Sequence, residues 1–336
     1  MSKFEDLCKA LDSAVGENHG NAAPSKFINT GYGPLNEIIS GKADGGLPFG
    51  RMLEMFGDSS SGKTALATQW MIQAQRMGGC AIFIDWERSF NIDMAKSMGL
   101  NDERPYWVYL KPKTWEQGNM MATKACQAIR ASGMIDKNAP ILVVFDSIAS
   151  AVPKSVTEKE LDELTMNDTT ALARVSSTTL KTQAQWAEEF DATFLYLNQI
   201  RLKPGVAYGD PTTTPGGKAM EFYSTVRLSL SRSKVMQKGE DGEKEFVGQE
   251  ITIKTTKNKL TKPFQNTSLR LSFDEIGMAV FDFESSLLDK LTERGKLKQS
   301  GARVEWTDGK SYFKKALLEK IKSEGLKPEL EALLYA

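Results

Sequence analysis

The chain has 336 residues, with 43 basic and 43 acidic side chains, one histidine and three cysteines. Zero net charge means that any surface for a polyanion must be local, and a lone His19 in the polar stretch "GENHGN" excludes histidine-based catalysis and a multi-histidine metal site. Cys8, Cys80 and Cys126 are odd in number and far apart. That argues against a disulfide framework and a thiolate metal site, and for a reducing, cytoplasmic setting. No signal pattern opens the chain, and no apolar run approaches the roughly 20 residues of a membrane span, so no membrane partner is expected.

Residues 4–15 have helical apolar spacing and lead into the turn-rich linker "GENHGNAAP". From Arg51 apolar and helical segments alternate: "RMLEMFG", "KTALATQWMIQAQRM", "CAIFIDW", "NIDMAKSMG", "YWVYL", "WEQGNMMATKACQAIRA" and "APILVVFD". A helical stretch over 169–190 then precedes the strand "ATFLYLNQ". This alternation predicts an α/β fold, a mostly parallel twisted sheet flanked by helices. Beyond it, "STVRLSLSR", "FVGQEITIKTTK" and "TSLRLSF" have no long helices between them, which predicts an antiparallel extension of the sheet. The end of the chain reads as a small α+β unit around the hairpin "VEWTDGKSYF". The expected domains are 1–28 (helix, linker and subunit contact), 29–275 (core) and 276–336 (small C-terminal domain).

"GDSSSGKT", Gly57 to Thr64, has the spacing of a phosphate-binding loop between a strand and a helix. Backbone N–H groups of Gly57, Asp58, Ser59, Ser60, Ser61 and Gly62, together with the helix N-terminus, are expected to converge on phosphate oxygens. Lys63 then reaches the outer phosphates, and the Thr64 hydroxyl ligates Mg²⁺. Asp146, closing "ILVVFD", suits the carboxylate that supports the metal's water shell. Hydrolysis also needs a group to activate water. Glu87, just after the strand "AIFIDW" and expected to lie beside the phosphate-loop strand, is the favoured base, with Asp85 as its rival.

"GGLPFGRMLEMFGDSSSGKT", "FIDWE", "VVFDSIASAVPK", "LNQIRLKPGVAYGDPTTTPGGKAMEFY" and "KNKLTKPF" resemble, in order and spacing, the RecA recombinase family, from about Phe27 to the C-terminus and more weakly after residue 275. Length and divergence are similar to phage-encoded members. The resemblance implies a RecA-type P-loop ATPase core and an ATP- and Mg²⁺-dependent head-to-tail filament. That filament forms on single-stranded DNA and pairs it with homologous duplex DNA, helped by single-strand-binding and mediator proteins. It assigns water activation to Glu87, phosphate contact to Lys63, γ-phosphate sensing to Gln199, and nucleotide contacts to Ala65, Asn91, Met94 and Pro263.

Two DNA-binding loops are implied, 153–170 and 200–217. In the first, Met166 is expected to wedge between bases while Arg174 and Lys181, on the following helix, meet the backbone. The second is rich in Gly, Pro and Thr without periodicity, which is the composition of a segment that orders on a ligand or of an unstructured surface connection. Arg201, Lys203, Lys218 and the backbone of Gly216 and Gly217 would contact phosphates, while Tyr208 or Val206 touches bases. Pro204 falls where an aliphatic side chain of the family inserts between DNA triplets, an insertion expected to pass to Leu202 or Val206, and Gly205 belongs to the same DNA-binding segment.

"KTTKNKLTK" carries Lys254, Lys257, Lys259 and Lys262, a pattern also expected of a protected edge strand. In the family the lysines matching Lys257 and Lys259 reach the neighbouring subunit's ATP, a heterologous contact that propagates as an open helix. The chain departs from the family pattern at Met94, where an adenine-stacking tyrosine is usual, and at Glu221, Lys218 and Pro204. The sequence closes on "ELEALLYA", so the acidic C-terminal tail of many members is not expected. Two other readings share the fold: a ring helicase, for which residues 1–28 leave no room for the usual N-terminal domain, and an ATP-dependent regulatory assembly without a DNA role.

Overall fold

The computed structural model describes residues 3–15, 23–202, 212–238, 244–274 and 277–335. Lys203, Pro204, Gly205, Val206, Tyr208 and His19 lie outside them. Within them, nine strands form one sheet. Their order is Ala279–Asp282, Asn266–Phe273, Lys244–Asn258, Val226–Lys238, Met52–Gly57, Ala192–Gln199, Ile141–Asp146, Cys80–Asp85 and Trp107–Leu110. The run from Val226–Lys238 to Trp107–Leu110 is parallel, and the first four strands are antiparallel to one another.

The central parallel strands are mostly apolar because helices cover both of their faces. Met52–Gly57, Cys80–Asp85 and Ile141–Asp146 are buried at every position. One face packs Leu53, Met55, Phe83 and Val144 against Leu66, Trp70 and Met71 of the helix Lys63–Arg76. The other holds an aromatic stack in which Trp86 lies on Trp115 at 5.4 Å and Phe145 on Tyr196 at 4.1 Å. Centroid separations of this size add edge and offset attraction to simple burial.

Three details differ from the expectations. The strand leading to Glu87 does not flank the phosphate-loop strand, because Ile141–Asp146 and Ala192–Gln199 lie between them. Chain order misleads here: the helix Lys63–Arg76 carries the chain across the sheet, and later strands fill the gap. The lysine-rich strand is not an edge, since Lys244–Asn258 pairs with Val226–Lys238 on one side and with Asn266–Phe273 on the other. Its lysines therefore need another explanation. The segment 153–170 contains a helical turn, Lys154–Thr157, and the 3₁₀ turns Leu161–Glu163 and Met166–Thr170 before the long helix Ala171–Glu189.

The central sheet continues past residue 275, where Ala279–Asp282 pairs with Asn266–Phe273. After it come the helix Phe283–Glu293, a three-stranded antiparallel sheet around Arg303–Glu305, and the helices Lys314–Ser323 and Lys327–Ala332. Leu288, Leu291, Trp306, Leu317 and Ile321 join these elements to the same apolar cluster as Trp70. Among the described residues no helix is long and apolar enough to cross a membrane.

Candidate nucleotide and nucleic-acid sites

The loop Gly57–Gly62 joins the central strand to a helix whose first residue is Lys63. Its curvature depends on small residues. A Cβ on Gly62 (φ +90°) would come within 2.4 Å of Ile251 Cδ1, and one on Gly57 within 2.5 Å of the Leu230 carbonyl. Ser60 also takes a positive φ of 57°. Backbone N–H groups at the helix start are thus left for a ligand with the positive end of the dipole behind them. Ala65 follows in the helix's first turn.

Lys63 Nζ donates to the loop's own carbonyls, 3.0 Å to Gly57 O and 2.8 Å to Asp58 O. Burial lowers its pKa, opposed by the carboxylates of Asp146, Glu87 and Asp58. Thr64 Oγ1 donates to Asp146 Oδ2 at 3.0 Å. Burial, then the nearby Glu87 charge, pushes the Asp146 carboxyl up to about 7. A hydroxyl beside a buried, strained carboxylate is a hard-oxygen donor pair that a small divalent cation would relieve, so these residues fit Mg²⁺. Among the described residues no group of three His, Cys, Asp or Glu forms a metal cage. A metal would therefore draw its other ligands from phosphate and water.

Glu87 reaches this centre from its distant strand because the chain turns inward after Asp85. Trp86 N–H and Glu87 N–H both donate to the Asp146 carbonyl, at 2.8 and 3.3 Å. One carboxylate oxygen, Oε1, accepts from Ser147 Oγ at 2.5 Å, Gln199 Nε2 at 3.2 Å and Ser150 Oγ at 3.3 Å. Ser147 and Ser150 were not singled out in the sequence, although "DSIAS" directly follows the Asp146 strand. Asp85 is committed elsewhere. It is 1% exposed and accepts from Arg88 N at 2.6 Å, Phe90 N at 3.4 Å and Tyr109 OH at 2.6 Å. Those bonds shape the turn, with Arg88 at φ +63°, that delivers Glu87.

Gln199 sits level with Gly57 in the sheet, so the side chain touching Glu87 begins one step from the phosphate loop. Asn91 caps the short helix Ile92–Ser97 by accepting from Met94 N at 3.0 Å. Met94 is half-buried against the core, and Pro263 is half-buried in the turn after the lysine-rich strand.

The family model for the RecA N-terminal domain matches residues 19–278. The chain belongs to the RecA family. Similar relatives include the RecA proteins of Saccharopolyspora erythraea, 32% identical over 90% of this chain and 84% of that protein, and Mycobacteroides abscessus, 34% over 96% and 91%. That of Halalkalibacterium halodurans is 35% identical over 79% and 69%. As a RecA-family recombinase the chain is a DNA-dependent ATPase, which acts on DNA and assembles with copies of itself.

The segment 200–217, the candidate second DNA loop, follows directly on Gln199. Its stem is a short antiparallel ladder pairing Arg201 with Thr213 and Leu202 with Thr212, so the loop is more built at its base than its composition implied. The return limb rests on the helix Ala171–Glu189. A Cβ on Gly216 (φ +88°) would lie 3.1 Å from Ile148 Cγ2, and one on Gly217 3.0 Å from Ala173 Cβ. Arg201 and Lys218 are exposed, as are Arg174 and Lys181 on the helix that follows the first loop. Arg174 also donates to the Asn167 carbonyl at 3.3 Å. The backbone of Met166 starts a 3₁₀ turn, and its side chain lies outside what is described.

Lys257 and Lys259 do not converge on the phosphate loop of their own subunit. Register sets Lys257 level with Arg227 and thence Glu54, upstream of Gly57. Lys257 Nζ instead donates to the Glu221 and Phe222 carbonyls, and Lys259 Nζ lies 3.5 Å from the latter, at the end of the short helix Ala219–Tyr223. Phe222 itself is 71% exposed.

Proposed function

We propose that this protein is an ATP-driven recombinase that forms a head-to-tail filament on single-stranded DNA and pairs it with a homologous duplex, with the roles divided as follows. Residues 57–65 cradle the phosphates, with the adenosine side of the nucleotide near Asn91, Met94 and Pro263. Lys63 leaves its two loop carbonyls for the outer phosphates, exchanging neutral acceptors for charged ones. Thr64 and Asp146 hold Mg²⁺, whose charge neutralises developing negative charge on the phosphate when it is bound. Glu87 accepts the proton of the attacking water. Gln199 exchanges Glu87 for the terminal phosphate, so that nucleotide state moves the first residue of the DNA loop. Lys257 and Lys259 leave the carbonyls of Glu221 and Phe222 to reach the neighbouring subunit's phosphates.

The observation that carries this reading is the Gln199 to Glu87 hydrogen bond. It joins the candidate base to Gln199, which lies level with Gly57 of the phosphate loop and leads into the glycine- and proline-rich segment 200–217. Single-strand-binding and mediator proteins are proposed partners on family grounds alone.

Two variants test the reading. Glu87→Gln should bind ATP and still assemble while losing roughly 10²–10⁴-fold in hydrolysis, the usual range for a general base. Replacing residues 203–211 by a Gly/Ser linker should leave nucleotide binding unchanged and abolish ATP-dependent binding of single-stranded DNA. Unchanged DNA affinity in the linker variant would show that 200–217 is not the DNA site, whereas a parent that binds no DNA would favour the regulatory-assembly reading.

A further inference from the structure

A carboxylate stands in the middle of the buried run "MLEMF" and a guanidinium in the middle of "TVRLSL". Glu54 is fully buried, and Arg227 Nε donates to its Oε2 at 2.5 Å. The other carboxylate oxygen accepts from Asn198 Nδ2 at 2.9 Å, and Asn198 is also fully buried. The same Nδ2 donates to the Pro215 carbonyl at 3.0 Å, while Asn198 Oδ1 accepts from the Gln199 N–H at 3.0 Å. Arg227 spreads further. Its NH2 donates to Thr214 Oγ1 at 3.3 Å, its NH1 lies 3.4 Å from Glu221 Oε1, and its plane covers the Phe56 ring at 4.9 Å.

Four parts of the molecule therefore meet at one buried cluster. They are the strand feeding the phosphate loop (Glu54, Phe56), the root of the DNA loop (Gln199), its return limb (Thr214, Pro215), and the helix whose end holds Lys257 (Glu221). An ion pair is a costly way to fill a sheet interior that apolar side chains would fill as well. A cluster whose purpose was stability alone would not need branches to both ends of one loop.

We propose that Arg227, with Glu54 and Asn198, positions both ends of the 200–217 loop and the 219–223 helix as one unit, and so couples nucleotide occupancy to the grip on DNA. Gln199 is one input. When its side chain turns from Glu87, its backbone N–H stays tied to Asn198, and the displacement passes from Asn198 directly to Pro215 and through Glu54 and Arg227 to Thr214 and Glu221. The inference rests on the reading of 200–217 as the DNA loop and of Gln199 as the phosphate sensor.

The test separates coupling from mere structure. In Glu54→Gln with Arg227→Met both charges leave together, a replacement that commonly preserves stability, whereas the branches to Thr214 and Glu221 are lost. Arg227→Lys keeps a cation for Glu54 but not the planar fork. For the parent and both variants, the measurements are the thermal midpoint, the affinity for a fluorescent ATP analogue, and the affinity for a fluorescent oligo-dT with a non-hydrolysed ATP analogue and with ADP. The expected result is a midpoint and nucleotide affinity close to the parent's in both variants. The ratio of the two DNA affinities should shrink about tenfold in the double variant and less in Arg227→Lys, within the usual range of coupling between sites. A folded double variant with the parent's ratio overturns the inference. Should the double variant not fold, Arg227→Lys decides alone, and a parent-like ratio there overturns it equally. A parent that binds oligo-dT identically with either nucleotide overturns the reading of the loop, and the inference with it.

Discussion

Between Pro153 and Thr170 most of the described bonds are local, the exception being Lys154 N–H, which donates to Glu116 Oε2 at 2.9 Å. Glu160 and Glu163 cap each other's backbone, Thr165 and Asp168 do the same one turn later, and Lys159 reaches Asp168 at 2.7 Å. That lysine, then the Thr165 N–H, holds the Asp168 carboxyl at about 2. Between Gln199 and Gly217 the anchors are instead mostly remote in sequence: Glu54 through the adjacent Asn198, then Arg227, Ile148 and Ala173 all bear on one stem. A loop that holds its own shape can meet DNA without reporting it. A loop rooted in the sheet beside the phosphate cradle cannot move without disturbing that cradle. The two candidate DNA loops therefore differ in kind, the first a self-contained contact and the second a coupled one.

The largest expected effect lies where the second loop is rooted. Arg227→Met alone leaves the Glu54 charge buried without its partner, and should cost about 3–5 kcal/mol of unfolding free energy. Lys159→Ala breaks an ion pair at the surface of the first loop and should leave the denaturation midpoint unmoved. Urea denaturation of the two variants would erase the contrast if both midpoints fell together.

Much of this was legible in the sequence because local chemistry dictated it. The phosphate loop needs glycines where a Cβ would strike Ile251 or Leu230, and a strand–loop–helix reading supplies them. The alternation of apolar and helical segments gave the parallel sheet because strands buried on both faces carry no polar face. What escaped was set by strand order. Glu87 was assigned to a strand beside the phosphate loop, yet it arrives from a strand with two others between, through a turn built by Asp85, Tyr109 and the Asp146 carbonyl. Of the lysines that looked suited to an edge, Lys254 lies in the doubly paired part of an interior strand, Lys257 near that strand's end, and Lys259 and Lys262 beyond it. The Glu54–Arg227–Asn198 cluster did leave a signal, one charge inside each of two apolar runs, but nothing in the sequence pairs them. Only the parallel register of Val226–Leu230 with Leu53–Gly57 does so.

A smaller effect tests the packing of the second loop's return limb. Gly216→Ala puts a Cβ on a residue at φ +88° and 3.1 Å from Ile148 Cγ2. The left-handed backbone alone costs about 1–2 kcal/mol for a residue with a side chain. Because the same Cβ would also lie 3.7 Å from Ser176 Oγ on the helix that follows the first loop, the loss should be accompanied by weaker oligo-dT binding. Binding equal to the parent's, at the expected loss of stability, would show that the limb's seat on that helix is not part of the DNA grip.

The smallest effect concerns Lys257, next to the helix that closes the second loop. Burial, then the charges of Lys259 and Arg227, lowers its pKa to about 8, with Glu221 and Glu54 opposing. A neighbouring subunit's phosphates would bind the charged amine and raise that value, so assembly takes up a proton wherever the free amine has already lost one. The sign follows directly. Below about pH 8 the amine is charged in the free subunit as well and assembly is insensitive to pH. Above it, assembly weakens as pH rises, by at most about tenfold per pH unit for a single proton. Lys257→Arg carries a cation that does not titrate in this range and should flatten the upper limb while preserving the lower one. Light scattering of ATP-analogue-dependent assembly between about pH 7 and 9.5 would follow both proteins. The same decline in Lys257→Arg would assign the pH dependence to another group and remove Lys257 from the subunit contact, leaving its hold on the Glu221 and Phe222 carbonyls as its role.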